Sequence, residues 1–382
     1  MNLTRFPALC RAIPQALACT LLLSQAPLVS AAWNTNLLVN PGADATAGGD
    51  GNFVANLPGW NVTGELTAID YSLGCPGGYP CLTDPGPSDP GANHFGGGYG
   101  TPSIGRQTID LGFAGSSING AGAYYALSGW LGGYATQEDH VTLDVNFLNA
   151  SNQIVGSKTI GPVTPTDRGG VTAMLLREAN GWVPAGATSA EVVLSAIRTG
   201  GSSNDGYADS LSFSLKQANT MLSAPNAASV GSTFTTTVVA LSPFASAEES
   251  EELLAFGFDL DFDPTLLRLT NVSMPAGFDD DSSFFEDTDV AGSSFPGLPV
   301  SGDEDFTLVT LTFEVLAEGQ AFIQVSSDAA GNFNEGLILA QGASIDVFGR
   351  TSVALAPVPE PSTLALAALG LAALGIRRRR IA

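Results

Sequence analysis

Between residues 141 and 147 apolar and polar residues alternate without a miss. Val141, Leu143, Val145 and Phe147 fall on one side, and Thr142, Asp144 and Asn146 on the other. The alternation returns from Leu254 to Asp263. There Leu254, Phe256, Phe258, Leu260 and Phe262 face one way, Asp259, Asp261 and Asp263 the other, and Pro264 ends the run. A period of two puts successive side chains on opposite faces of extended chain, so each segment reads as a strand with one buried face. Shorter strand signals occur at 37–39, 123–130, 192–194, 210–215, 234–241, 308–315, 321–325 and 343–347, separated by turn clusters. Asn149 to Asn152 turns the chain into Gln153–Val155, a hairpin pattern. No stretch between residues 33 and 358 carries a convincing helical period. With 44% hydrophobic against 13% charged residues the chain has material for packed cores. The fold class is therefore all-β, with two β-sandwiches in tandem.

Both ends carry different chemistry. Arg5 and Arg11 precede a mostly apolar run, Ala16 to Val29, and Ser30, Ala31 and Ala32 supply small residues for a cut before Trp33. That is a secretory signal peptide, 1–32, read by signal peptidase. At the other end Pro359, Glu360 and Pro361 hold the chain out of helix. An uncharged Leu- and Ala-rich run follows from Thr363 to Ile376, then Arg377, Arg378, Arg379 and Arg380. As a helix this run is about 21 Å long, short against a hydrocarbon core of ~30 Å. The arginines hold its end on the cytoplasmic side, and four adjacent arginines exclude a buried core helix. The three-part tail resembles the PEP-CTERM sorting signal. The resemblance implies export, passage through the inner membrane, processing by an exosortase and a final place at the cell surface or in the extracellular matrix. A short anchor that simply stays in the membrane is the alternative. The expected division is 33–216 for a first domain, 217–229 for a linker, 230–350 for a second domain, 351–358 for a linker and 359–382 for the signal.

Between the two signals the chain carries eight basic against 36 acidic residues, a net charge of −28. Such a body repels nucleic acid and anionic lipid and attracts calcium. Cys10 and Cys19 leave with the signal peptide. Cys75 and Cys81 remain, with five residues between them, Pro76, Gly77 and Gly78 among these. In an oxidising compartment they are expected to form a local disulfide. Zinc would need two further ligands, and His94 and His140 are the only histidines.

In the first domain Asn40–Asp44, Pro58–Trp60, Gly181–Trp182 and Asp205–Asp209 resemble the galactose-binding-like jelly rolls of bacterial carbohydrate-binding modules. The resemblance implies that Asp44 and Asp209 help hold a structural calcium; turn caps are the alternative. It implies extracellular polysaccharide as ligand, with Tyr99, Trp130, Tyr134 and Tyr207 as candidate contacts. Trp60 and Trp182 match core positions. In the second domain Val230–Phe234, Phe258–Leu267, Leu308–Phe313 and Gly342–Val347 resemble cohesin, with an acidic stretch, Val300–Asp305, in place of that family's Gly-rich one. This resemblance implies a second jelly roll that binds partner proteins. From 218 to 356 the charge is −19. Asp279, Asp280, Asp281, Glu286, Asp287 and Asp289 could cage calcium but lack EF-hand spacing; the alternative is a solvated acidic surface. No Gly-x-Ser-x-Gly elbow and no His-Glu-x-x-His motif occurs. The expectation is a non-enzymatic binding protein, with a purely structural adhesin or an accessory module of polysaccharide breakdown as alternatives.

Overall fold

The computed structural model describes residues 32–51, 56–73, 78–245, 247 and 250–357. The signal peptide, the sorting signal and Cys75 lie outside the described residues. Among those described, ten strands build a first sandwich: β1 (Asn61–Thr63), β2 (Thr67–Asp70), β3 (Asn93–Gly96), β4 (Ser103–Asp110), β5 (Ala123–Gly133), β6 (His140–Asn149), β7 (Ile154–Ile160), β8 (Ala173–Trp182), β9 (Ala187–Ile197) and β10 (Gly206–Gln217). They form two five-stranded antiparallel sheets, ordered β1-β4-β9-β6-β7 and β2-β3-β10-β5-β8. The alternation read from 141 to 147 holds: Val141, Leu143, Val145 and Phe147 are all buried. Phe147 meets Tyr125 at 5.1 Å and Phe213 at 6.2 Å across the core, contacts worth about 0.5–1.5 kcal/mol each beyond their buried area.

Leu37 and Leu38 are buried and Val39 is half-buried, but the three form no strand. A side chain does the pairing that a neighbouring strand would otherwise do. The Gln107 amide accepts from Val39 N at 2.9 Å and donates to Val39 O at 2.7 Å. Asn36 likewise bridges Leu211 O and Phe213 N. Leu37 N donates directly to Phe213 O of β10 at 2.8 Å and Leu38 N donates to Asn36 Oδ1, so the amides complete what this short main-chain pairing leaves open.

The second sandwich contains β11 (Thr220–Ser223), β12 (Ala227–Ser229), β13 (Thr233–Ala240), β14 (Glu252–Phe262), β15 (Leu267–Ser273), β16 (Asp279–Asp280), β17 (Val290–Pro299), β18 (Phe306–Val315), β19 (Gly319–Ser326), β20 (Gly336–Leu339) and β21 (Phe348–Ala356). One sheet runs β11-β13-β18-β15. The other runs β12-β21-β19-β14-β17-β16, with β20 also paired to β14. In β14 the expected phase slips at one end. A bulge between Leu253 and Ala255 turns Leu254 outward, 36% exposed, and buries Leu253 in its place. Phe256, Phe258 and Leu260 point inward as expected. The final strand is β21, not 343–347, which contributes only an isolated bridge between Ile345 and Leu337.

Residues 220–223 and 227–229, inside the expected linker, are strands, so only Ala218 and Asn219 separate β10 from β11. Asn219 stitches this joint: its amide donates to Asp346 O at 2.7 Å and accepts from Phe348 N at 2.8 Å. Tyr124 of β5 stacks on Phe348 at 4.6 Å. Burial pushes the Tyr124 hydroxyl up to about 12.

Candidate functional site

The sheet β2-β3-β10-β5-β8 has two faces of different character. Ala208, Leu211, Phe213 and Leu215 of β10 enter the core, while Tyr207 and Asp209 lie on the outer side. There Ile69, Tyr71, Met174 and Tyr207 form a separate cluster, with Tyr79, Trp130 and Tyr134 packed against it. Trp130 stands opposite Asp209 in β10 and opposite Leu176 in β8, and Leu176 is 41% exposed.

Beneath this cluster His94 is fully buried. Its ring lies 4.6 Å from that of Tyr71 and 5.6 Å from that of Tyr207, and neither ring nitrogen has a partner. Burial drives its pKa down to about 3, so at neutral pH it is an uncharged aromatic spacer. The chain reaches this arrangement through glycines: a Cβ on Gly96 would fall 2.3 Å from Ile69 Cδ1.

Asp209 is fully buried beside the same ring cluster. Its carboxylate accepts from Tyr71 Oη at 2.7 Å and from Ser210 N at 2.6 Å. Burial raises its pKa to about 7, opposed by these hydrogen bonds and assisted by the charge of Asp44. A register shift between Asp209 and Ser212, with Ser210 at φ 48°, aims the side chain. Asp44 is exposed and accepts from Ala92 N and Asn93 N at 2.8 and 2.9 Å. The two carboxylates converge. The point where a Cβ on Gly42 would sit is 2.7 Å from Asp44 Oδ2 and 3.2 Å from Asp209 Oδ1. Only a glycine leaves that point open, and Asn40 and Ala43 beside it adopt left-handed φ values of 53° and 62°. This donor pair is hard oxygen and anionic, the chemistry calcium takes. Among the described residues no group of three or more His, Cys, Asp or Glu side chains is placed to hold a metal. Further oxygens for an ion at Gly42 would have to come from main-chain carbonyls.

Of the four expected aromatic contacts, the structure gathers three. Trp130 and Tyr134 are half-buried at the rim of the cluster. Arg168 fixes the turn that carries Tyr134 by donating to the carbonyls of Tyr134, at 3.1 Å, and of Gln137. Tyr207 is wholly buried: its ring packs on Tyr79 and His94 and its hydroxyl donates to Asp205 Oδ1 at 2.9 Å, leaving no face for a ligand. Tyr99 is 43% exposed in its glycine loop. The Tyr79 hydroxyl is pushed up by burial and by Tyr99, which places these two together. Tyr71, Tyr79, His94 and Met174 were not anticipated. Tyr71 and Tyr79 lie outside the strands, His94 on the short strand β3 and Met174 at the start of β8, so no single sequence pattern joins them. Cys81 is buried, its Sγ 3.3 Å from Thr83 Oγ1, while Cys75 lies outside the described residues.

The remaining acids tie loops together. Asp139 is buried and accepts from Thr199 N, Gly200 N and Asp205 N. In the acidic stretch, Asp280 accepts from Ser282 and Asp289 accepts from Leu260 N at 2.9 Å.

Comparison with known proteins treats the C-terminal tail and the body differently. The PEP-CTERM protein-sorting motif matches residues 357–380. The chain carries that sorting motif at its C terminus, which implies an exported protein held transiently at the membrane through its tail and processed by an exosortase. No curated protein sequence matches the chain significantly. Among solved structures it is similar to a cohesin module from a Clostridium perfringens family 33 glycoside hydrolase, at 9% identity, TM-score 0.27, covering 36% of this chain and 96% of that one. It is also similar to the enzymatically active domain of bacteriophage CBA120 tailspike protein 4, at 17% identity, TM-score 0.30, covering 47% and 21%. A third similarity is to the CBM22-1–GH10 modules of Clostridium thermocellum xylanase 10B, at 16% identity, TM-score 0.25, covering 43% and 27%. The chain thus spans about a quarter of the tailspike and xylanase chains it matches. These scores are too low for the likenesses to bear on function.

Proposed function

We propose that the protein is a non-enzymatic component of the cell surface or extracellular matrix that holds extracellular polysaccharide on its first sandwich. The observation that supports this reading is the aromatic outer face of β2-β3-β10-β5-β8. Trp130 and Tyr134 offer partly exposed rings, and Tyr71, Tyr207 and His94 form a rigid bed beneath. Flat apolar rings on a rigid support, with polar groups nearby, suit the carbon faces and hydroxyls of sugar rings. The sorting motif adds the compartment in which such a ligand is met. A calcium ion held by Asp44 and Asp209 would neutralise the two converging carboxylates and lock the 40–44 turn onto β10. A Cys75–Cys81 disulfide would tie down the loop that covers Met174 and Tyr71.

Affinity electrophoresis of the exported chain through gels cast with soluble polysaccharides tests the reading. Retardation by at least one of them, lost in Trp130→Ala and reduced in Tyr134→Ala, is expected. Migration unchanged by every polysaccharide would remove the proposal.

A second reading, protein-partner binding by the second sandwich, is favoured by one observation. Phe284, Phe295 and Phe333 are 74%, 102% and 84% exposed there. Fully solvated phenylalanines on a −19 surface suit an apolar docking contact. Phe295→Ser and Phe333→Ser would abolish recovery of any partner from matrix extract; recovery unaffected by both would count against it.

A further inference from the structure

The whole chain contains two lysines, Lys158 and Lys216. They are far apart in sequence, one on the edge strand β7 and one near the end of β10. Both line the same cleft, about 560 Å³ in volume, formed where the second sandwich meets the outer face of the first. Ser128 of β5 and Glu178 and Asn180 of β8 line its first-sandwich side, and Asp328, in the turn after β19, lines the other. From these placements we propose that the cleft holds a neutral, hydroxyl-rich glycan segment, and that the second sandwich completes the sugar site rather than merely following it. The inference rests on the polysaccharide-binding reading above.

Size and position come first. The volume lies within the ~300–1,000 Å³ usual for small-ligand sites, which favour domain boundaries. Ser128 is two residues from Trp130 on the same strand, so the cleft continues the outer face that carries the aromatic cluster. At ~3.4 Å per residue the step from ring to cleft is about 7 Å.

The lining then sets the ligand class. Lys158 is exposed and has no hydrogen-bond or ion-pair partner among the described residues. Asn180 is exposed and its Oδ1 accepts from Tyr124 Oη at 3.0 Å, which leaves its NH₂ as the group free to donate. Lys216 is already within 3.4 Å of Asp346. Glu178 is exposed, and Asp328 Oδ1 accepts from Gly331 N at 3.1 Å with its second oxygen uncommitted. The cleft therefore offers donors (Lys158, Asn180) and acceptors (Glu178, Asp328) in balance, without a net positive charge. A polyanion would meet two carboxylates in the cleft and a body charge of −28 around it. Neutral sugar hydroxyls, each a donor and an acceptor, meet partners of both kinds.

The test uses the full exported chain and gels cast with dextran, arabinoxylan or barley β-glucan as neutral probes, and alginate or polygalacturonate as anionic ones. Lys158→Ala and Asp328→Ala change exposed side chains, and an unchanged melting curve verifies that each variant folds. Retardation by at least one neutral polysaccharide is expected, weakened about tenfold by each substitution. Neutral binding that survives both variants yet disappears in Trp130→Ala would leave the aromatic face as the sugar site and overturn the cleft. Binding confined to alginate or polygalacturonate would overturn the ligand class. Retardation by none of the five would take down this inference together with the reading it rests on.

Discussion

Arg350 Nη1, on the last strand of the second sandwich, donates to the main-chain carbonyl oxygen of Val183 in the first at 3.2 Å. Its Nη2 donates to Ile118 O, and its own main-chain N donates to Ala121 O at 3.0 Å. The guanidinium lies 5.8 Å from the rings of both Trp182 and Phe322. It is 8% exposed, burial lowers its pKa, and among the described residues no carboxylate pairs with it. Carbonyl dipoles and aromatic faces compensate the buried charge instead. With the two-residue connection beside it, this contact ties the last strand of the second sandwich to the first.

Removing that side chain is the first prediction. Arg350→Ala leaves the carbonyls of Ile118 and Val183 without this donor at a buried joint and is expected to cost about 2–4 kcal/mol. Calorimetry should show the melt separating into two transitions, and small-angle scattering should show a wider spread of distances between the sandwiches. A single transition at the original temperature would mean that the joint does not couple the domains.

His94 and Asp209 meet across Tyr71 and titrate in opposite senses. The folded pKa of His94, about 3, lies below its ordinary 6.5. The unfolded chain therefore binds the extra proton between those values, and stability from this group is lost as pH falls through that window. The folded pKa of Asp209, about 7, lies above its ordinary 3.8. The folded chain then binds the extra proton, and stability from this group is lost as pH rises from about 4 to 7. The two slopes largely cancel in the native chain. Relative to it, Asp209→Asn should gain stability progressively as pH rises from 4 to 7, and His94→Leu should gain it as pH falls from 6.5 toward 3. Urea melts at half-unit pH intervals read both; parallel curves for all three proteins would show that neither group is perturbed by burial. Adding calcium should flatten the Asp209 contribution, because an ion at Gly42 favours the charged carboxylate.

The bulge in β14 separates two adjacent leucines. Leu253 is fully buried and Leu254 is 36% exposed. Leu253→Ala is therefore expected to cost about 2–5 kcal/mol by cavity formation, and Leu254→Ala about 0.5 kcal/mol or less. Equal losses in chemical denaturation would mean that the strand keeps one unbroken phase.

The same pair shows where sequence reading reaches its limit. Strict alternation located β6 and most of β14 because burial of one face imposes a period of two along the chain. A bulge shifts that period by one residue at the cost of a few main-chain hydrogen bonds, and no side chain marks the slip in advance. The first segment, 37–39, is apolar like a strand, yet only Leu37 N pairs with main chain, at Phe213 O, while Val39 is paired by the Gln107 side chain from a distant strand. The candidate site divides along the same line. Asp44, Asp209, Trp130 and Tyr134 stood in recognisable turn and strand contexts. His94 joins them through the register of β3, Tyr71 and Tyr79 from the chain between β2 and β3, and Tyr207, an aromatic in a turn-rich motif, is sealed within that assembly. The cleft between the sandwiches was invisible for a further reason: its walls are contributed by residues 158, 178–180, 216 and 328, and their spacing carries no pattern.

Gln107 gives the last prediction. Its amide is the lone partner of both Val39 N and Val39 O, and it is 7% exposed. Gln107→Leu preserves bulk but strands both main-chain groups and is expected to cost about 2–3 kcal/mol. Gln107→Glu keeps the acceptor and loses the donor, leaving a buried carboxylate near a carbonyl oxygen, so it should be at least as damaging at pH 7 and recover partly near pH 4. The consequence should reach beyond stability. Pro41 O accepts from Leu211 N at 3.1 Å, and that contact positions the 40–44 turn against the bulge at Asp209. Hydrogen exchange should show loss of protection at Val39 and Leu211 together in Gln107→Leu, with a weaker response of the melt to calcium than in the native chain. Fast exchange at Val39 with full protection at Leu211 would instead mean that the turn is held independently of this amide.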